Sequence, residues 1–226
     1  IEEDAIFRQY DFKPGKYNTE GKMKIALNCI NTFLCSSCAT RQSNNFEVLG
    51  QFSDHWPQNA SGQVAYVSHY MGIMGAMGKN PVTNEDYSAY PIKSGNNYGG
   101  TATNGLLYSD SQTKLATVRD GTTHTLLFGE VSWNGYERYR AWTRGPSLST
   151  GNLGNSAVGN AKNVRDALGS QIGYGNFNDG AFASSHTGGA TFGLCDGSVI
   201  YLTEDLDFSI FRSLASRSGG EPAVLP

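Results

Sequence analysis

Four groups of residues carry types and spacings that could do chemistry. The first is Ser184-Ser185-His186 with Asp196 ten residues on, which has the constituents of a hydrolase: a hydroxyl nucleophile, an imidazole base and a carboxylate to orient it. The context argues against hydrolysis. Neighbouring Ser and His side chains in an extended segment point to opposite faces, and no G-x-S-x-G elbow is present. The second group is Cys35-Ser36-Ser37-Cys38, a CxxC spacing that suits redox chemistry or half of a zinc site, with no second CxxC, paired His or thioredoxin-like βαβ pattern beside it. The third comprises two oxygen-rich clusters, Asn176, Asn178 and Asp179, and Glu204, Asp205 and Asp207. Hard cations take such ligands, but neither cluster has the spacing of an EF-hand, and acidic residues before a helix also serve as caps. The fourth is the loop pair His55-Trp56, which with Trp133, Trp142 and twelve tyrosines could stack on a sugar. Loop tryptophans also plug the edges of cores.

The elements that must position these residues are centred on Ser184 to Leu202. Asp196-Gly197 separates two apolar runs, Thr191 to Cys195 and Ser198 to Leu202, so the chain is expected to fold back as a β-hairpin through a type I′ turn. Gly188 and Gly189 let it bend between His186 and the first strand. On this reading His186 fixes the approach to the hairpin, Asp196 serves the turn, and the hairpin is the buried centre of a sheet.

The spacing of His186, nine residues, then Asp196-Gly197 resembles the signature of the bacterial pilin-like proteins known by their prepilin-type processing-associated H-X9-DG domain. Four further segments are similar to that family's motifs in the same order along the chain. Phe33-Leu34-Cys35-Ser36-Ser37 resembles its FLCPS segment, and Ser68-His69-Tyr70-Met71-Gly72 its sNYxGxxG stretch. Asp120-Gly121-Thr122-Thr123-His124-Thr125-Leu126-Leu127-Phe128-Gly129-Glu130 resembles its DGTSNTLLxGE strand, with His124 in place of Asn. The tail from Phe211 to Glu221 resembles its closing helix and GGE.

The resemblance implies a non-enzymatic, extracytoplasmic structural subunit of a pilus-like or type II secretion-associated (pseudopilin) assembly, at the cell surface or outside the cell. It implies other pilin-like subunits, or a separate apolar spine helix, as partners. Calcium enters by the same route, because major pseudopilins can bind it in a C-terminal loop; otherwise no cofactor is expected. Members of the family begin with a processed apolar helix, whereas Ile1 to Phe7 looks like a segment that follows one. The chain as given is therefore expected to be a soluble piece without the spine helix. Its four cysteines, Cys29, Cys35, Cys38 and Cys195, are an even number in a chain that the resemblance places where disulfides persist. At least one disulfide is expected, with three pairings open.

Composition bounds the rest. At 38 % hydrophobic with 28 glycines and only 16 % charged residues, the chain has a turn-rich, β-rich character. Its 17 basic and 20 acidic residues, without a Lys or Arg run, leave no footprint for nucleic acid. No run approaches the roughly 18 apolar residues of a membrane span. The expected architecture is one α+β domain over residues 1–226, a mainly antiparallel sheet with short helices near both ends and long loops. Strands are expected at Gly105 to Tyr108, Lys114 to Val118 and Thr123 to Trp133 as a meander, and a helix capped by Asp207 near the end. Glu130 is expected to pair with Arg119 or Arg138, since a buried unpartnered carboxylate is costly. The rival function, from a different class, is a secreted glycan-binding or glycan-cleaving protein.

Overall fold

A computed structural model of the chain describes residues 3–12, 20–43, 61–90, 98–132, 141–147, 157–170 and 177–221. Two short helices, α1 (Asp4–Phe7) and α2 (Glu20–Ala26), precede a 3-10 turn at Asn31–Phe33. The strands that follow are β1 (Tyr70–Ala76), β2 (Ala89–Tyr90), β3 (Thr101–Ala102), β4 (Leu126–Glu130), β5 (Pro146–Ser147), β6 (Ala157–Val158), β7 (Ala161–Val164), β8 (Gly189–Leu194) and β9 (Val199–Thr203), before α3 (Phe208–Ala215). The class is α+β, as the composition and turn pattern suggest.

Five strands form the main sheet in the order β7-β1-β4-β8-β9, while β2-β3 and β5-β6 are two-stranded ribbons. Three of the four pairings in the main sheet are antiparallel, and β1 runs parallel to β7. α3 covers one face. Its amphipathic spacing buries Phe211, Leu214 and Ala215, and Phe211 meets Phe182 and Phe192 with ring centroids 6.3 and 5.5 Å apart. Those rings lie where a side chain on Gly129 would be: a Cβ there would sit 2.5 Å from Phe192 and 2.6 Å from Phe182. Glycine at the penultimate position of β4 therefore lets the aromatic cluster reach the sheet.

The helix at the end is capped as its sequence requires. Asp207 Oδ1 accepts a hydrogen bond from the Ser209 amide at 2.7 Å, and the Ser209 hydroxyl donates to the same oxygen. Hydrogen bonds from Ser209 hold the Asp207 carboxyl below the usual carboxylate range.

Three expectations change. The hairpin exists, with Gly189 to Gly193 paired to Val199 to Thr203, but β9 is the edge of the sheet and its Val199 and Tyr201 are exposed. The middle of the sheet is β4, flanked by β1 and β8. The turn is also of another kind, because Gly197 has φ of 88° and Asp196 is not among the residues with positive φ. The Gly197 amide donates to Leu194 O at 3.0 Å and the Leu194 amide to Ser198 O at 2.8 Å, which makes a three-residue loop with a left-handed glycine rather than type I′. Finally, of the three-strand meander only Leu126–Glu130 is a strand. Leu115–Thr117 is a 3-10 turn, and the Gly105 and Leu107 amides donate to Met74 O and Ile73 O without a continuing ladder.

Candidate functional site

The sheet order brings three of the sequence-singled residues to one point. β4 runs antiparallel to both β1 and β8, so the end of β4, the start of β1 and the start of β8 share one end of the sheet. Glu130 closes β4, His69 precedes β1, and His186 lies three residues before β8. The loop after the first 3-10 turn is clamped against this end. The His69 amide donates to Phe33 O at 2.8 Å, the Cys35 amide donates to His69 Nδ1 at 2.8 Å, and His69 Nε2 donates to Thr40 O at 2.8 Å. That pattern requires His69 to be the neutral tautomer with its proton on Nε2, and burial holds its pKa below the ordinary histidine value.

Cys35, thus placed, faces His186 across 151 residues of sequence, with Sγ to Nε2 at 3.4 Å. The other ring nitrogen, Nδ1, lies 3.2 Å from Ser37 Oγ. Glu130 Oε1 is 3.8 Å from His186 Nε2. The Glu130 side chain is buried, and its other oxygen accepts from the Thr191 amide at 3.2 Å. Oε1 itself is buried without a hydrogen-bond partner. One ligand atom each from Cys35, Glu130 and His186 lie within 4.8 Å of one another, the one such group of His, Cys, Asp and Glu among the described residues. Burial first, and then the Glu130 carboxylate beside it, push the Cys35 thiol above its ordinary pKa. A nucleophilic cysteine needs the opposite shift.

The remaining motif residues serve the fold. Asp196 sits at the far end of β8, roughly 20 Å from His186 at about 3.3 Å per strand residue. Its Oδ1 accepts from the Ser198 amide and hydroxyl, at 2.9 and 2.6 Å, which holds its carboxyl below the usual range. The turn docks on the Asp120-Gly121-Thr122 segment, the Asp196 amide donating to Thr122 O at 3.1 Å and the Cys195 amide to Thr125 O at 2.8 Å. Gly121, with φ of 99°, makes the bend there. Asp120 in turn accepts from the Gly219 and Gly220 amides at 2.7 and 3.0 Å. Glu221 Oε1 accepts from Asn80 Nδ2 at 2.9 Å and from the Tyr87 hydroxyl.

Several site expectations are corrected. In this structure all four cysteines are free thiols and none of the three expected pairings is made. Cys35 faces His186, Cys29 lies against Asn31 Oδ1 and Arg41, Cys38 donates to Thr40 O, and Cys195 belongs to the turn at the other end of β8. Glu130 meets His186, not Arg119, and Arg138 lies outside the described residues. The first oxygen cluster is occupied by protein groups. Asn178 Oδ1 accepts from the Val158 amide at 2.8 Å, while Asp179 accepts from Asn163 and Arg165, both at 2.6 Å. Asn176 lies outside the described residues, and Glu204, Asp205 and Asp207 do not converge.

His55, Trp56 and Trp133 also lie outside the described residues. Trp142 lines a cleft of about 660 Å³ with Ile6, Phe7, Tyr10, Phe12 and Phe33. Its indole N–H donates to Asn28 O at 3.1 Å and the Tyr10 hydroxyl to Thr143 O at 3.0 Å, so the polar ends of both rings are engaged within the chain.

In the sequence, Cys35, Glu130 and His186 stand in three separate motif segments, and nothing in their spacing groups them. The signal was that each segment ends on or contains a residue able to bind a metal or a proton; the grouping depends on sheet order. No helix of the described residues is long and apolar enough to cross a membrane. No curated protein and no solved structure matches the chain. A family model, SBP_bac_10, described as "Protein of unknown function (DUF1559)", matches residues 1–209, and the chain belongs to that family.

Proposed function

We propose that the chain is a non-enzymatic, extracytoplasmic structural subunit, the globular head of a pilus-like or type II secretion-associated assembly. Its partners are other pilin-like subunits or an apolar spine helix. One observation carries this reading: the segments that resemble the H-X9-DG pilin-like proteins interlock with one another. The turn at Asp196-Gly197 docks on Thr122 and Thr125, and Asp120 holds the tail at Gly219 and Gly220. Around the turn and the tail, motif residues satisfy each other's hydrogen bonds, which is what a structural head requires.

The glycan reading has less support. The cleft at Trp142 carries Glu3, Asp4, Thr143 and Asn160 beside its aromatic rings, but the Trp142 indole N–H and the Tyr10 hydroxyl are already engaged within the chain, and most of the wall is apolar. Immunogold electron microscopy of the native source tests the proposal. Label along surface filaments or pilus-like structures is expected; label confined to the cytoplasm, or released protein that binds a glycan array, overturns it.

A further inference from the structure

We propose that Cys35, Glu130 and His186 form a zinc site that clamps the Cys35 loop to the end of the main sheet. The donor geometry is the first ground. A tetrahedral Zn²⁺ with bonds of about 2.3 Å to sulfur and about 2.0–2.1 Å to nitrogen or oxygen requires roughly 3.3–3.6 Å between donor atoms. Here Sγ and Nε2 are 3.4 Å apart and Nε2 and Oε1 3.8 Å apart. All three donor atoms lie within 4.8 Å of one another, so a modest closure brings them to coordination distance.

The chemistry of the donors is the second ground. Glu130 Oε1 is buried and lacks a hydrogen-bond partner, and it is aimed at a thiol and an imidazole that can each present a lone pair to the same point. The Cys35 thiol can donate one hydrogen bond to the Glu130 carboxylate, but a cation engages the sulfur, the carboxylate oxygen and the imidazole nitrogen together. The thiol selects against Ca²⁺ and Mg²⁺, which take oxygen, and the mixture of sulfur, nitrogen and oxygen suits Zn²⁺. On binding, Cys35 loses its proton to solvent and the thiolate becomes a ligand.

The outer partners are already in place. Ser37 Oγ lies 3.2 Å from His186 Nδ1, so that nitrogen can carry the proton and donate while Nε2 faces the metal. The Thr191 amide holds the second oxygen of Glu130, and His69 fixes the backbone of Cys35. His186 is on the exposed side of the site, which leaves the fourth coordination position toward solvent, for water.

The test uses the full 226-residue chain, stripped with chelator and titrated with ZnCl₂ by calorimetry, with thiol alkylation mapped by mass spectrometry. One Zn²⁺ per chain is expected, with Cys35 protected from alkylation when zinc is present and Cys29 and Cys195 unprotected. His186→Gln, at an exposed position, should lose more affinity than the roughly 10–100-fold typical of removing an outer partner, and Ser37→Ala should lose about tenfold. Absence of stoichiometric binding, a Cys35 that alkylates equally with and without zinc, or a folded His186→Gln that binds like wild type each overturns the proposal. If His186→Gln does not fold, the protection of Cys35 in the wild-type chain decides the question by itself. A failure here leaves the structural-subunit reading standing, because that reading is tested on filaments.

Discussion

Asp120 Oδ2 accepts a hydrogen bond from the Gly219 amide at 2.7 Å, across 99 residues of chain, and its Oδ1 accepts from Gly220 at 3.0 Å. One carboxylate thus holds the tail that follows α3 against the segment that leads into the middle strand of the sheet. Hydrogen bonds to a charged acceptor contribute roughly 1.5–3 kcal/mol. Asp120→Asn keeps one acceptor oxygen and removes the charge, so it should lower stability by about 1–3 kcal/mol. Urea unfolding measures this, and amide exchange at Gly219 and Gly220 should rise more than exchange in β4. An unchanged midpoint would mean that the other bonds to the tail, from Arg119 and Asp120 to Arg217 O and from Asn80 and Tyr87 to Gly219 and Glu221, suffice without the carboxylate.

The neighbouring carboxylate, Glu221, gives a pH dependence. Burial is the main cause that raises its pKa, with the charge of Asp120 adding to it and the Tyr87 hydroxyl pulling it down. A carboxyl with a raised native pKa binds its proton more tightly when folded. Its contribution is therefore largest below the ordinary carboxylate pKa, and stability falls as pH rises from there through the native value. Unfolding free energy measured from about pH 4 upward should decline less steeply in Glu221→Gln than in wild type. A wild-type curve that rises more steeply than the variant's over that window would reverse the assignment.

Gly129 is a packing position. Alanine there would place Cβ 2.5 Å from the Phe192 ring and 2.6 Å from the Phe182 ring, both fully buried beneath α3. Overpacking of a well-filled core costs about 1–3 kcal/mol, so Gly129→Ala should destabilise by that amount or more and disturb the aromatic cluster. Near-ultraviolet circular dichroism and thermal unfolding report both effects. Gly193, on the open face of the next strand, has nothing within 4 Å of a built Cβ, and Gly193→Ala should be tolerated.

What was legible in the sequence was local. Asp207 followed by an apolar face at helical spacing gave α3 and its cap, and Asp196-Gly197 between two apolar runs gave β8 and β9. The meander was not legible because alternation near Lys114 does not reflect burial: Leu115 is exposed, and Thr117 Oγ1 donates to Lys114 O, which favours a tight turn. The hairpin's place at the edge was hidden for a similar reason, since Val199 and Tyr201 are apolar in type yet face solvent. Cys35, Glu130 and His186 could each be singled out. That they meet depends on the antiparallel pairing of β4 with β1 and β8, a non-local fact that spacing along the chain does not carry.

The last prediction concerns assembly. Filaments of helix-cored subunits are held by long apolar helices packed together, and the longest helix among the described residues has 8 residues. Among the described residues, contact between copies of this chain would have to use the exposed apolar surface. On the open face of the sheet Phe128 stands opposite Gly193, which stands opposite Val199, with Tyr201 two pairs further along β9; these three residues are 45, 67 and 47 % exposed. Phe7 and Phe12 add a second apolar group, 64 and 66 % exposed. Each group offers two or three partly covered side chains, at most 150–250 Å² for a whole aromatic residue, against the roughly 1,200–2,000 Å² of total surface that a stable interface buries. The 226-residue chain should therefore be monomeric by light scattering at about 10 µM, a concentration at which an interface of about 1 µM affinity would be mostly filled. If the chain is the head of a helix-cored filament, as proposed, polymer should appear when an apolar helix is fused to it or supplied as a separate chain. A stable oligomer of the chain alone would show that its own surface carries assembly. If Phe128→Asp or Val199→Asp then dissolved that oligomer, the open face of the sheet would be the contact.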